Sequence, residues 1–191
     1  MLAETLAVTL QVTGVLESLD VTYALGGSVA SALHGVVRAT LDADIIADLE
    51  PAQAEPLANA LAGDFYVDLE AVRAAIAQHR SFNVIHLDSM FKVDIFVARP
   101  RALDRAQLAR RRTYVVDPEA GRSFYVISAE DLILAKLDWY RLGGETSERQ
   151  WSDVLGVLQA QAGRLDLEYL HRMAEAVGVS DLLARALNAV P

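Results

Sequence analysis

The chain has 191 residues, a formal net charge of -9, 53% hydrophobic and 23% charged residues, which excludes a disordered or collagen-like protein and predicts one compact unit. It contains 0 cysteines, so disulfide frameworks, thiolate zinc sites, iron–sulfur clusters and cysteine nucleophiles are excluded. Acidic residues outnumber basic ones, 26 to 17, which argues against a protein that coats duplex DNA.

In chain order, the apolar spacing of Leu6, Leu10, Val12, Val15, Leu16 and Leu19 predicts a first helix over Leu2–Leu19. Val21–Leu25 reads as a short strand ended by Gly26-Gly27, and Ser28–Val37 as a helix. Asp42–Ala47 is the next strand, followed by helices over Pro51–Ala62 and Leu69–Gln78. Ser81–Leu87 and Met90–Val97 are strand-like runs about an Asp88-Ser89 turn, and Leu103–Arg111 is a helix. Thr113–Val116 and Ser123–Ile127 flank a turn at Asp117-Pro118 and Gly121. Only helices are expected after that. One opens at Ser128, where Asp131 occupies the acidic position of a capping box, and one at Ser147, whose box is completed by Gln150. Two short ones follow, Leu167–Val177 and Asp181–Ala189. The expected organisation is an α/β (α+β) core over residues 1–127 and a C-terminal helical region over 128–191, packed on it. The first residues, Met1 to Thr5, carry no basic side chain and do not read as a secretory signal. The longest uncharged stretch, Val21 to Val37, is too short and too broken by glycine for a membrane span. A soluble, cytoplasmic protein is the expectation.

The chemistry concentrates in two strands. Asp42 and Asp44 are two apart, so they project from one sheet face, while Ala43 and Ile45 point the other way. Two like charges on one face are unfavourable unless a cation or basic group lies between them. In Phe91–Val97 the same alternation puts Lys92 and Asp94 on one face. Two neighbouring strands would place three carboxylates around one point, the donor set of two-metal phosphoryl chemistry. Upstream, Gly26-Gly27 lets the backbone approach a ligand closely, the following helix presents free N–H groups to phosphate, and Ser28 adds a hydroxyl. The plain alternatives are a solvated edge strand for Asp42 and Asp44, and a surface pair of Lys92 with a carboxylate for Asp94.

These segments resemble a known family. Tyr23-Ala24-Leu25-Gly26-Gly27-Ser28, His34-Gly35, Arg38-x-Thr40-x-Asp42-x-Asp44 and the later Asp94 are similar to the nucleotidyltransferase fold of the DNA polymerase beta type, and within it to the AbiEii/AbiGii toxin-like branch. The likeness continues through Ile127–Ile133, Lys136 and Ser147–Asp153. The resemblance implies a mixed sheet flanked by helices, a nucleoside triphosphate substrate, Mg²⁺ (or Mn²⁺), and transfer of a nucleotidyl group to a hydroxyl acceptor. It implies that Asp42, Asp44 and Asp94 hold metal and carry catalysis with Lys136. It further implies that Gly26, Gly27, Ser28, Arg38, Thr40 and Asp153 serve the nucleotide. Either Gly26-Gly27 or Gly27-Ser28 is the motif pair. An RNA or tRNA acceptor and an antitoxin partner follow from the toxin-like branch; a small-molecule acceptor of the aminoglycoside kind and a silent binding module are the alternatives.

Other residues have two readings each. Lys136 is either a solvated helix lysine or a triphosphate ligand. Asp153, four residues after Arg149, is either half of a surface ion pair or part of the site. His34 reads as a packed, hydrogen-bonded residue. The six arginines between Arg99 and Arg112 are either a solvated helix face or an RNA-backbone contact.

Overall fold

The computed structural model describes residues 2–36, 40 and 42–190. It is a mixed seven-stranded sheet with helices on both faces. The elements are α1 (Leu2–Ser18), β1 (Thr22–Leu25), α2 (Gly27–Leu33), β2 (Asp42–Asp48), α3 (Ala54–Leu61), β3 (Phe65–Tyr66), α4 (Leu69–Gln78), β4 (Ser81–His86), β5 (Lys92–Val97), α5 (Ala102–Ala109), β6 (Arg112–Asp117), β7 (Arg122–Val126), α6 (Ala129–Leu142), α7 (Glu148–Ala160), α8 (Leu167–Val177) and α9 (Ser180–Ala189).

The strand order is β3-β4-β5-β2-β1-β7-β6. β2 is therefore an interior strand, antiparallel to β1 and parallel to β5, which removes the solvated-edge reading of Asp42 and Asp44. Ala43, Ile45 and Ala47 on β2 and Val93 and Ile95 on β5 are fully buried on one face. Tyr23 of β1 joins them and donates its hydroxyl to Glu17 of α1 (2.6 Å). α1 lies against β1, β2 and β7, α4 against β4, and α3 against both helices. The opposite face carries Asp42, Asp44 and Ile46 from β2 with Lys92, Asp94 and Phe96 from β5. α6 crosses it, its Trp139 ring edge-on to Phe96 at 5.9 Å. Leu170, Leu182 and Leu183 of α8 and α9 belong to the same apolar core as the sheet.

Several local outcomes differ from the sequence reading, each with a physical cause. α2 stops at Leu33, four residues before the expected end at Val37, because Gly35 takes a left-handed φ of 113°. His34 caps it, with Nε2 2.9 Å from the Ile127 carbonyl oxygen, the packed role expected of it. Pro51–Gln53 forms a single 3-10 turn before α3, closed by a reciprocal Glu50–Gln53 box. β3 was not anticipated: two residues show no alternation. At Ser147 only half of the expected box forms. The Gln150 N–H donates to Ser147 Oγ (3.3 Å), but the Gln150 side chain is engaged elsewhere.

Candidate active site

The parallel register of β2 and β5 puts Asp44 directly beside Asp94, and Asp42 beside Lys92. The alternation seen in sequence thus brings three carboxylates to one patch of one sheet face. Their charges act on each other. Burial, then the neighbouring charges of Asp42 and Asp94, push the Asp44 carboxyl up to about 6. Lys136 and the Ser28 backbone N–H oppose that shift. Lys92 Nζ lies 2.6 Å from Asp94 Oδ2, and this bond, with the charges of Asp42 and Asp44, holds the ammonium above its ordinary range. The Thr40 hydroxyl lies 2.9 Å from the Asp42 carbonyl oxygen and 3.0 Å from its Oδ1, so Thr40 orients Asp42.

The turn before α2 is shaped around Asp44. The Gly26 N–H donates to the Asp44 carbonyl (2.8 Å). Gly27 has φ 53°, and a Cβ there would overlap Asp44 Oδ2 and sit 2.5 Å from its Cγ. At Gly26 a Cβ would meet only Ile127 Cδ1, at an ordinary 3.5 Å. Gly27 is therefore the position where glycine is obligatory. Ser28, next along, is buried, and its hydroxyl accepts from Arg149 Nη2 (3.0 Å).

Lys136 is not a solvated helix lysine. It is 5% exposed, and its ammonium donates to Asp153 Oδ2 (2.7 Å) and Gln150 Oε1 (3.3 Å). Asp153 is 3% exposed, so the surface-pair reading with Arg149 fails as well. Its carboxylate accepts from the Lys136 ammonium, whose charge also acts on Asp44. Arg38 lies outside the described residues. The Arg99–Arg112 arginines are not a uniformly solvated face. Arg101 bonds Asp104 and Asp138 (2.6 Å to the latter), and Arg110 lies over the Tyr169 ring at 3.7 Å, tying α5 to α6 and α8.

Two cavities open on this patch. One, of 290 Å³, is polar and lined by Gly27, Ser28, Asp42, Asp44, Lys136 and Arg149, with Ser147 and Gln150. Sequence reasoning missed Ser147, Arg149 and Gln150 as lining residues. They were read as a helix start, and only their shared position in the first turn, facing a distant glycine turn, distinguishes them. The other, of 560 Å³, runs from Asp44 and Lys136 over Ile46 and Phe96, beneath Trp139, to Arg80, Arg99 and Arg101.

The donor set suits a hard divalent cation. Asp42 and Asp44 are like charges held together at a cost that a cation would relieve. Among the described residues no three His, Asp or Glu side chains are gathered as a ready ligand set, and the Asp94 carboxylate faces Lys92.

No protein-family model matches the sequence, and no curated protein matches it. Solved structures do. An antigenic nucleotidyltransferase-like protein from Paracoccidioides brasiliensis superposes with a TM-score of 0.56 at 16% identity, over 98% of this chain and 94% of that one. The chain has the nucleotidyltransferase fold. The antibiotic-resistance factor ANT(2'')-Ia in solution gives 0.52 at 16% identity, over 97% of this chain and 94% of that one. The crystal structure of ANT(2'')-Ia with adenylyl-2''-tobramycin gives 0.58 at 13% identity, over 90% and 95%. The expected mixed sheet with flanking helices is thus the observed architecture of the nucleotidyltransferase fold. Among the described residues no helix is long and apolar enough to cross a membrane.

Proposed function

We propose that the protein is a nucleotidyltransferase that moves a nucleoside monophosphate from a nucleoside triphosphate to a hydroxyl acceptor. The observation that carries this reading is the side-by-side register of Asp44 and Asp94, with Asp42 on the same face, under the Gly27–Ser28 turn. The polar cavity suits the triphosphate. Lys136 and Arg149 supply positive charge there, and Ser28 and Ser147 supply hydroxyls. Asp153 is the positioning residue for Lys136.

In the reaction, the acceptor oxygen bonds to the α-phosphorus and the bond to the α,β-bridging oxygen breaks. Pyrophosphate leaves with that electron pair, and the hydroxyl proton passes to Asp94. Mg²⁺ (or Mn²⁺), held by Asp42 and Asp44 beside Asp94, would supply charge neutralisation at the phosphates and a more acidic acceptor hydroxyl. Lys136 and Arg149 balance charge gathering on the β- and γ-phosphates.

The resemblance to the AbiEii toxin-like branch supports an RNA or tRNA end as acceptor and an antitoxin as partner. The 560 Å³ cleft and the adenylylated antibiotic bound to ANT(2'')-Ia favour a small-molecule acceptor instead. The test is transfer of label from α-labelled ATP, CTP, GTP and UTP, with Mg²⁺ or Mn²⁺. Acceptors are an RNA pool, the protein itself and a panel of hydroxylated small molecules. We expect label in one acceptor class with the native carboxylates and none with folded Asp42→Ala or Asp44→Ala. Nucleotide binding without transfer to any acceptor would instead identify a silent module of the same fold.

A further inference from the structure

The larger cleft carries features that phosphate binding does not use. Its floor is Ile46 and Phe96, two residues beyond Asp44 and Asp94 on the same sheet face. The exposed Trp139 ring stands edge-on to Phe96. Together they form an apolar, aromatic-walled slot of small-molecule size.

The far end is cationic. Arg80, Arg99 and Arg101 line it, set against the carboxylates of Asp104 and Asp138. Arg101 is engaged with both carboxylates. Arg99 reaches Asp104 through its backbone N–H (2.9 Å) and its Nε (3.2 Å); its two Nη groups have no partner among the described residues. Arg80 is held through its backbone, by Ala75 and Val97, and its side chain makes no hydrogen bond or ion pair among the described residues. Gln107 on α5 also lines the cleft. Its carboxamide has no hydrogen-bond partner among the described residues, so it is available to a polar group entering the cleft.

We propose that this cleft is the acceptor site and takes a small, flat-ringed anion, a ring that bears a hydroxyl and a carboxylate or phosphate. The ring lies along Phe96 and Trp139, the anionic group meets Arg80 and Arg99, and Gln107 bonds a polar substituent. The hydroxyl then faces Asp44 and Asp94. This rests on the transferase reading: the acceptor oxygen gains the nucleotidyl group as above, giving a phosphodiester and pyrophosphate. A polycationic acceptor meets like charge at the arginine end.

Binding is measured without transfer, so its failure is distinguishable from failure of the labelling assay. Calorimetric titrations use 4-hydroxybenzoate and 4-hydroxyphenyl phosphate, with neutral 4-hydroxybenzamide and cationic tyramine as counterparts. Each is run with and without α,β-methylene ATP. We expect the anions to bind about ten-fold more tightly than the amide, the effect of one charge-assisted contact. The tighter of the two anions identifies carboxylate or phosphate as the native group. Arg80→Ala, which removes no side-chain hydrogen bond or ion pair among the described residues, should abolish the preference for the anion. Gln107→Leu should weaken binding of both anions while leaving the melting temperature of the free protein unchanged, whereas loss of a structural residue would lower it. Binding of anions alongside α,β-methylene ATP supports the assignment. The proposal is overturned by equal binding of anion and amide, by tighter binding of tyramine, by no binding of either anion at millimolar concentration, or by competition with α,β-methylene ATP.

Discussion

Gly27 and Asp44 occupy space that only a glycine leaves open: a Cβ on the first would overlap the carboxylate of the second. Gly26, one residue earlier, has no such constraint. The two glycines therefore make a paired prediction. Gly27→Ala combines a left-handed φ with a clash, and should cost about 2–4 kcal/mol of stability and abolish nucleotide binding. Gly26→Ala should stay within about 1 kcal/mol of wild type. Urea unfolding and nucleotide titration of both variants check this; equal tolerance of the two would mean the turn is not built around Asp44.

Asp44 makes stability depend on pH in an unusual direction. Its folded-state carboxyl is pushed up to about 6 from an ordinary 3.8. Between those values the folded protein holds a proton that the unfolded chain has released. Stability of the metal-free protein therefore falls as pH rises through that window and levels off above it. Asp44→Asn removes the cost, and should be more stable than wild type by about 1–3 kcal/mol at neutral pH, with the difference vanishing toward pH ~4. Denaturant melts in EDTA read this directly. A destabilised Asn variant at neutral pH would show that the carboxylate is held by favourable contacts.

On the proposed reading, Lys92 would compete with a cation for the Asp94 carboxylate. The ammonium sits 2.6 Å from Asp94 Oδ2. Lys92→Met should release Asp94 and tighten Mn²⁺ binding several-fold, by about 1 kcal/mol. Paramagnetic broadening titrations report the affinity without any turnover. Unchanged Mn²⁺ affinity would place Asp94 outside the cation site.

Lys136 and Asp153 form a buried ion pair, 2.7 Å apart. Asp153→Ala removes the carboxylate and leaves the ammonium in a buried setting, which should cost about 3–5 kcal/mol. The exposed Arg73–Glu70 pair, at the same 2.7 Å, should cost under about 1 kcal/mol when broken. A double-mutant cycle with Lys136→Met isolates the coupling. If Asp153→Ala proves as mild as Glu70→Ala, the pair does not position Lys136.

The sequence showed the carboxylate triad because acidic residues at every second position interrupt runs that are otherwise β-branched or apolar. Asp42, Asp44 and Asp94 stand out against Ala43, Ile45, Val93 and Ile95, all fully buried on the opposite face. The first two helices of the C-terminal region were legible from their caps at Ser128 and Ser147. What was not legible depends on contacts between distant segments. Nothing local in α6 tells that Lys136 is buried, because its partner lies on the next helix. Arg149 looks like half of an i,i+4 pair until α7 is seen to start opposite Ser28. Gln107 is one polar residue on an ordinary amphipathic helix, and only the cleft beneath it gives it meaning. The sharp end of α2 was hidden because Val36 continues an apolar pattern that Gly35 interrupts.

β2 and β5 are neighbours in the sheet, yet α3, β3, α4 and β4 separate them along the chain. The acidic patch cannot exist in either half of the molecule alone. Repulsion among its carboxylates is absent from the early, local steps of folding and falls on the late closure that sets these two strands in register. The same closure completes the sheet interior through Ile45 and Ile95. The pairing that brings like charges together is therefore the same one that buries apolar side chains able to offset them.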